Sequence, residues 1–406
     1  MKTSITVFLT FLSLCFVSCT NNNSTDEPSP TASTFIDTLP GSCPNLIKDA
    51  QGNVVLSWVR ETSDSTAVFC YATSTDGGVS FGEPIVVPPS STVKPHSENL
   101  PKVIFKPSGE IIALWGAAST STINKYAGSI FYAQSFDEGK TWSEARPLVR
   151  DTAGYDQRYF DVALLPNGEA AIVWLDNRKQ PEQEGSALYY ATTSGRNGFA
   201  GEKRINQPCC QCCRTDLFVD SKSNVHVLYR GILQDSIRDM VHIVSTDGGQ
   251  SFSAPKRISD DNWVLNACPH TGPAMTENAE GLHFAWYTGG KAKGTFYTQS
   301  KDNGNSFGQH DSISFAGKHP QLTAAANGDI ATVWDEQVKV ADGFMSRIGL
   351  QTRTKEGNAP KKWFITPETT DATYPVITMV KEQQPLVAYC QKKNGKKYVA
   401  YQLTNL

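Results

Sequence analysis

An eight-residue pattern, Ser-x-Asp-x-Gly-x-Ser/Thr-Phe/Trp, occurs four times in this chain and constrains its fold more than any other feature. The copies begin at Ser74, Ser135, Ser245 and Ser300. Their starts lie 61, 110 and 55 residues apart, so the long gap spans two steps of 55. A degenerate copy running from Thr193 to Phe199 fills that gap. Self-similarity at such a period is the mark of a repeat architecture.

The residue types inside the pattern suit a tight turn. Asp76, Asp137, Asp247 and Asp302 can accept hydrogen bonds from the N–H groups of their own turn. The glycine supplies a positive φ. The closing aromatic is expected to pack back on its own hairpin, which makes the motif a staple and not a place for chemistry.

Upstream of each copy, a short apolar run is followed by a turn and a second run ending in an aromatic. Those aromatics are Trp58, Trp115, Trp174, Tyr229, Trp286, Trp334 and, in a weaker copy, Tyr389. Four short antiparallel strands per unit, with little helical periodicity, predict an all-β chain folded as a β-propeller. The aromatics predict seven blades, with six as the alternative. The last unit shows three strands of its own, so the segment 34–39 is expected to supply the fourth and close the ring. Most of the tryptophans are expected in the core between blades. Trp286, and Trp263 with it, are candidates to stack on a sugar ring.

The N-terminus reads as a targeting segment. Lys2 precedes a mostly apolar run over 5–17, too short to span a bilayer comfortably. Ser18-Cys19 and a polar stretch follow it. This order resembles the lipobox of bacterial lipoproteins. It implies a signal peptide over 1–18, a lipidated Cys19 with a flexible tether over 19–33, and a propeller over 34–406. The expected location is the bacterial cell envelope, on the outer membrane, held only through the lipid. A monomer is expected. With 37 basic against 40 acidic residues there is no basic stripe, which argues against nucleic acid as a partner.

The repeat is identified as the Asp-box (BNR) motif, and residues 42–406 resemble the sialidase-like propellers. The resemblance implies a glycan-directed protein, an exo-glycosidase on sialic acid or a similar acidic sugar, with no cofactor required. It places the site at one mouth of the central channel, among residues leading into each inner strand and those just after each second strand. Arg158, Arg178, Arg214 and Arg230 are there as candidates for a carboxylate clamp. Tyr374 is the candidate nucleophile, and Glu61 and Asp176 are candidate acids. Arg238, Asp239, His270, Trp286 and Tyr287 are expected on the binding rim. Sialidases open their first blade with Phe/Tyr-Arg-Ile-Pro, whereas this chain reads Ser42-Cys43-Pro44-Asn45. A non-catalytic propeller that binds a glycan or a protein is the second reading.

The run Cys209-Cys210-Gln211-Cys212-Cys213-Arg214 stands apart from all of this. Eight cysteines remain beyond Cys15 and Cys19, and an even count in an exported protein favours disulfides. The other reading is a metal-handling propeller. Thiolates with imidazole suit Cu or Zn, and the candidate ligands are Cys209, Cys210, Cys212, Cys213, Cys268 and His270.

Overall fold

The computed structural model describes residues 32–63, 65–119, 124, 127–150, 155–178, 184–341, 343–381 and 383–406. The signal peptide, Cys19 and most of the tether lie outside the described residues. The chain forms seven four-stranded antiparallel sheets, each a blade of one propeller. In blade one the order is Gly41–Lys48, Val54–Glu61, Ala67–Ser74 and Ile85–Val87, from the channel outwards. The first strands of successive blades touch one another around the ring, and that of blade seven, Ala372–Lys381, meets that of blade one. The fourth strand of blade seven is Thr34–Phe35 from the other end of the chain, with Thr34 opposite Tyr401 and Phe35 opposite Ala400. Ring closure by the N-terminal segment therefore follows the sequence expectation.

The second-strand aromatics are buried, as a position flanked by two blades requires. Trp58, Trp115, Trp174, Trp286 and Tyr389 have no exposed surface. Trp286 also donates from Nε1 to Asp261 Oδ2 at 2.8 Å. It is thus a core residue and not part of a binding rim. An inward position on a second strand buries its side chain whatever lies at the mouth.

The repeated turn closes as its residue types predict. In the copy starting at Ser245, Asp247 Oδ1 accepts from the Ser245 hydroxyl at 2.6 Å and the Ser251 N–H at 2.9 Å, while Ser245 Oγ accepts from Gly249 N–H at 2.8 Å. Bonds from the Ser80 hydroxyl and amide, and from Ser74, hold the Asp76 carboxyl down to about 2. The aromatic does not stop at its own hairpin, however. Phe307 packs edge-on against Phe284 of its own blade at 5.4 Å and also approaches His242 on the third strand of the preceding blade, and in the other copies the ring crosses to that strand. Phe252 packs edge-on against Tyr190 at 5.3 Å, Phe199 against Tyr132 at 5.4 Å, and Phe81 of blade one against Tyr401 of blade seven at 4.9 Å. The turn's glycine sits over the same ring. A Cβ at Gly139, Gly198 or Gly249 would overlap the hydroxyl of Tyr71, Tyr132 or Tyr190. Each turn is therefore a staple between blades, and its glycine is required twice, for a positive φ and for close approach.

Candidate functional site

One backbone irregularity recurs at the channel mouth. Cys43, Tyr159, His270, His319 and Tyr374, each leading into the inner strand of its blade, all lie at φ between 49° and 61°. In four of these blades the inner strand bulges there, with register breaks at Ser42/Asn45, Arg158/Asp161, Lys318/Gln321 and Thr373/Val376. A left-handed residue without glycine costs roughly 1–3 kcal/mol. Cys43, His319 and Tyr374 are in addition followed by proline, which disfavours that geometry further. The strain repeats in register around one mouth of the channel, on cysteine, histidine and tyrosine side chains.

Polar groups of neighbouring blades hold the bulges. Asn99 Oδ1 accepts from Tyr159 N–H at 2.7 Å, and Asp335 Oδ2 accepts from Tyr374 N–H at 2.7 Å. The result is a cluster of rings. His96 lies 5.6 Å from Tyr159 and 5.7 Å from His270, and His319 stacks on Tyr374 at 4.0 Å. His319 Nδ1 is bound to Asp335 at 2.8 Å. Burial opposes a charged His319 ring, but the charge and hydrogen bond of Asp335 outweigh it and the pKa is raised. His96 moves the other way, lowered by burial and then by His270 and Arg158. Burial also raises the Tyr374 phenol, with Glu98 and Asp335 adding to the effect.

Below the rings, the channel is charged. Glu98 of the blade-two lead-in accepts from Arg214 Nη1 at 3.1 Å and from Gly272 N–H at 2.7 Å. Deeper, a cavity of about 660 Å³ is lined in part by Lys102, Asp161, Arg214 and Asp216. Lys102 pairs with Asp161, whose other oxygen accepts from Leu217 N–H at 2.8 Å. Burial and the Asp161 charge raise the Asp216 carboxyl. These groups join inner strands across blades and act as struts.

The four candidate clamp arginines are each held by separate partners. Arg214 reaches Glu98 and the carbonyls of Gly272, Pro273 and Pro320. Arg230 reaches the carbonyls of Arg238, Thr271 and Tyr287 and the sulfur of Cys213. Arg178 pairs with Asp176 and Glu202 and lies over the Tyr189 ring, all within blade three. Arg158 pairs with Asp156 beside Tyr159. Among the described residues, none of these partners is common to two of the four arginines. Asp176 is thereby tied to Arg178, and Glu61 lies at the end of the second strand of blade one. On the expected rim, Arg238 is buried against Glu184, and Asp239 binds Arg257 and the amides of Asn262 and Trp263. Tyr287 is buried edge-on to Trp263. Of that rim His270 remains exposed. His96, His319 and Asp335 complete the cluster; the sequence signal for His319 is that His319-Pro320 matches Cys43-Pro44 and Tyr374-Pro375.

The thiols also gather at this mouth. The sulfurs of Cys210, Cys212 and Cys213 lie within 4.8 Å of one another, and so do the ligand atoms of Cys212, Cys268 and His270. Among the described residues all the cysteines are free, so the expected disulfides are not formed. The Cys210 and Cys212 sulfurs stand 3.7 Å apart, well beyond an S–S bond of about 2.05 Å.

No family model matches this chain, and no curated protein matches it. Solved structures do. An ulvan lyase bound to a GlcA(1-4)Rha3S unit superposes with a TM-score of 0.58 at 11% identity, over 92% of this chain and 96% of its own. The intramolecular trans-sialidase from Ruminococcus gnavus, in complex with oseltamivir carboxylate, gives 0.51 at 8% identity over 90% and 94%. The Hadza microbial sialidase Hz136 gives 0.51 at 11% identity; this chain covers 66% of that one and has 90% of its own length matched. At such identities the likeness is one of fold alone, a β-propeller.

Proposed function

We propose that this protein is an envelope-anchored, glycan-directed propeller that takes an acidic sugar at the channel mouth and acts on it there. The observation that carries this reading is the pair His319–Tyr374, stacked at 4.0 Å, with Asp335 on Nδ1 of the histidine. A histidine oriented by a carboxylate holds one nitrogen free to give or take a proton. A tyrosine beside it can serve as nucleophile at an anomeric carbon or as the partner acid or base. Asp335 orients the histidine, a role distinct from that of the acids for which Glu61 and Asp176 were candidates. His96, His270 and Arg158 put cationic or hydrogen-bonding groups on the same rim, which suits a carboxylate or sulfate on the sugar. The acidic ligands of the structural neighbours support the same class.

Binding tests the reading directly. Titration calorimetry with sialyl-lactose and with glucuronate-containing oligosaccharides is expected to give binding to one of them, abolished by His319→Ala. Binding to neither would overturn it. Envelope attachment rests on the N-terminal residues: Cys19→Ser is expected to move the protein from the membrane to the soluble fraction, and an unchanged distribution would contradict the anchor.

A further inference from the structure

We propose that Cys210, Cys212 and Cys213 bind a thiophilic d10 ion, Zn²⁺ or Cu⁺, with the fourth ligand supplied by the Cys268–His270 segment of the next blade. Thiolates around tetrahedral zinc, with Zn–S near 2.3 Å, stand about 3.8 Å apart. The Cys210–Cys212 separation is 3.7 Å. Cys212 belongs to both groups of ligand atoms, so one ion reached through it joins the lead-ins of blades four and five.

Arg230 supplies an independent reason. It is buried, and its polar partners are three carbonyls and the sulfur of Cys213, which accepts from Nε at 3.3 Å. Among the described residues no ion pair with a carboxylate is formed by it, although such pairs account for Arg158, Arg178 and Arg214. A buried cation without an anion is costly, so the anion is expected in the sulfurs. Three thiolates and one imidazole around Zn²⁺ carry one net negative charge, which Arg230 balances.

The backbone already sets the sulfurs in place. Cys210 N–H donates to the Arg230 carbonyl at 2.8 Å, and Cys209 bridges to Gly231. Cys209 is left out of the ligand set: it belongs to neither group of converging ligand atoms, and its backbone pairs with Ser186 on the third strand of blade three. A Cys210–Cys212 disulfide would close across a single residue.

The test uses the full chain, purified in detergent, fully reduced and free of oxygen. Elemental analysis of the protein as isolated distinguishes zinc from copper. Loading with Co²⁺ is expected to give about one ion per chain and a thiolate-to-cobalt charge-transfer band. Cys212→Ser is expected to abolish the band, and Cys268→Ser, at an exposed position that the fold does not need, to weaken binding or alter the band. Cys70→Ser, on blade one, is the control that keeps it. Circular dichroism verifies that each variant is folded. The proposal is overturned if the reduced protein binds no cobalt. It is equally overturned if both Cys212→Ser and Cys268→Ser bind as the parent does, or if mass spectrometry finds a disulfide among the three cysteines in the protein as isolated.

Discussion

Arg214 of blade four and Glu98 of blade two meet across the channel at 3.1 Å, both buried, with the Glu98 carboxylate also accepting from Gly272 of blade five. The pair is the hub that joins three blades beneath the ring of histidines and tyrosines. It accounts for a clamp arginine being spent on the scaffold.

Breaking one side of a buried pair leaves the other charge stranded, at a cost of about 3–5 kcal/mol. Glu98→Met and Arg214→Met are each expected to lose stability on that scale in denaturant unfolding. The double variant Glu98→Met/Arg214→Met should lose less than the sum. Strict additivity would contradict a hub role.

The two histidines flanking the mouth are expected to titrate on opposite sides of the ordinary value, about 6.5. His319, facing Asp335, Glu98, Arg214 and Tyr374, lies above it, and His96 lies below. The sign follows: the His319–Asp335 contribution to stability is complete below about 6.5 and is lost as pH rises through the higher folded value. Asp335→Asn should bring the His319 titration down in a histidine NMR experiment and flatten stability against pH above that point. An unmoved His319 would remove Asp335 as its orienting partner.

Gly249 and Gly52 share a left-handed φ, +86° and +82°, but only Gly249 faces a neighbouring blade. Gly52→Ala is expected to show backbone strain alone, of order 1 kcal/mol. Gly249→Ala adds overlap with the Tyr190 hydroxyl and should cost clearly more in thermal unfolding. Equal losses would contradict the staple between blades.

The propeller was legible because its signals are local. Turn glycines, a recurring Asp and second-strand aromatics repeat at a near-constant spacing, and the missing outer strand of the last unit pointed to Thr34. A further degenerate turn, Thr354 to Gly357, carried no aspartate and showed itself only where Gly357 sits over Tyr297. The direction of Phe252 and Phe199 was not legible, since packing on one's own hairpin and on the preceding blade leave the same sequence. The partners of the arginines were not legible for a related reason. Arg214 and Arg230 are satisfied largely by carbonyl oxygens, which every residue has, so nothing in the sequence sets a structural arginine apart from a ligand-binding one. His319 was visible as a lead-in residue, but its link to Asp335 crosses between strands beside the Lys318–Asp335 pair and follows only from the bulge at Lys318/Gln321.

The central claim is that Tyr374 and His319 act together on an acidic sugar. The most direct measurement is turnover by the intact protein of a fluorogenic sialoside and of a glucuronate-containing polysaccharide, read as released fluorophore, new reducing ends and unsaturated product. The account predicts turnover of one of these substrates, abolished by both Tyr374→Phe and His319→Ala with the melting temperature preserved. Turnover that survives both substitutions would contradict it.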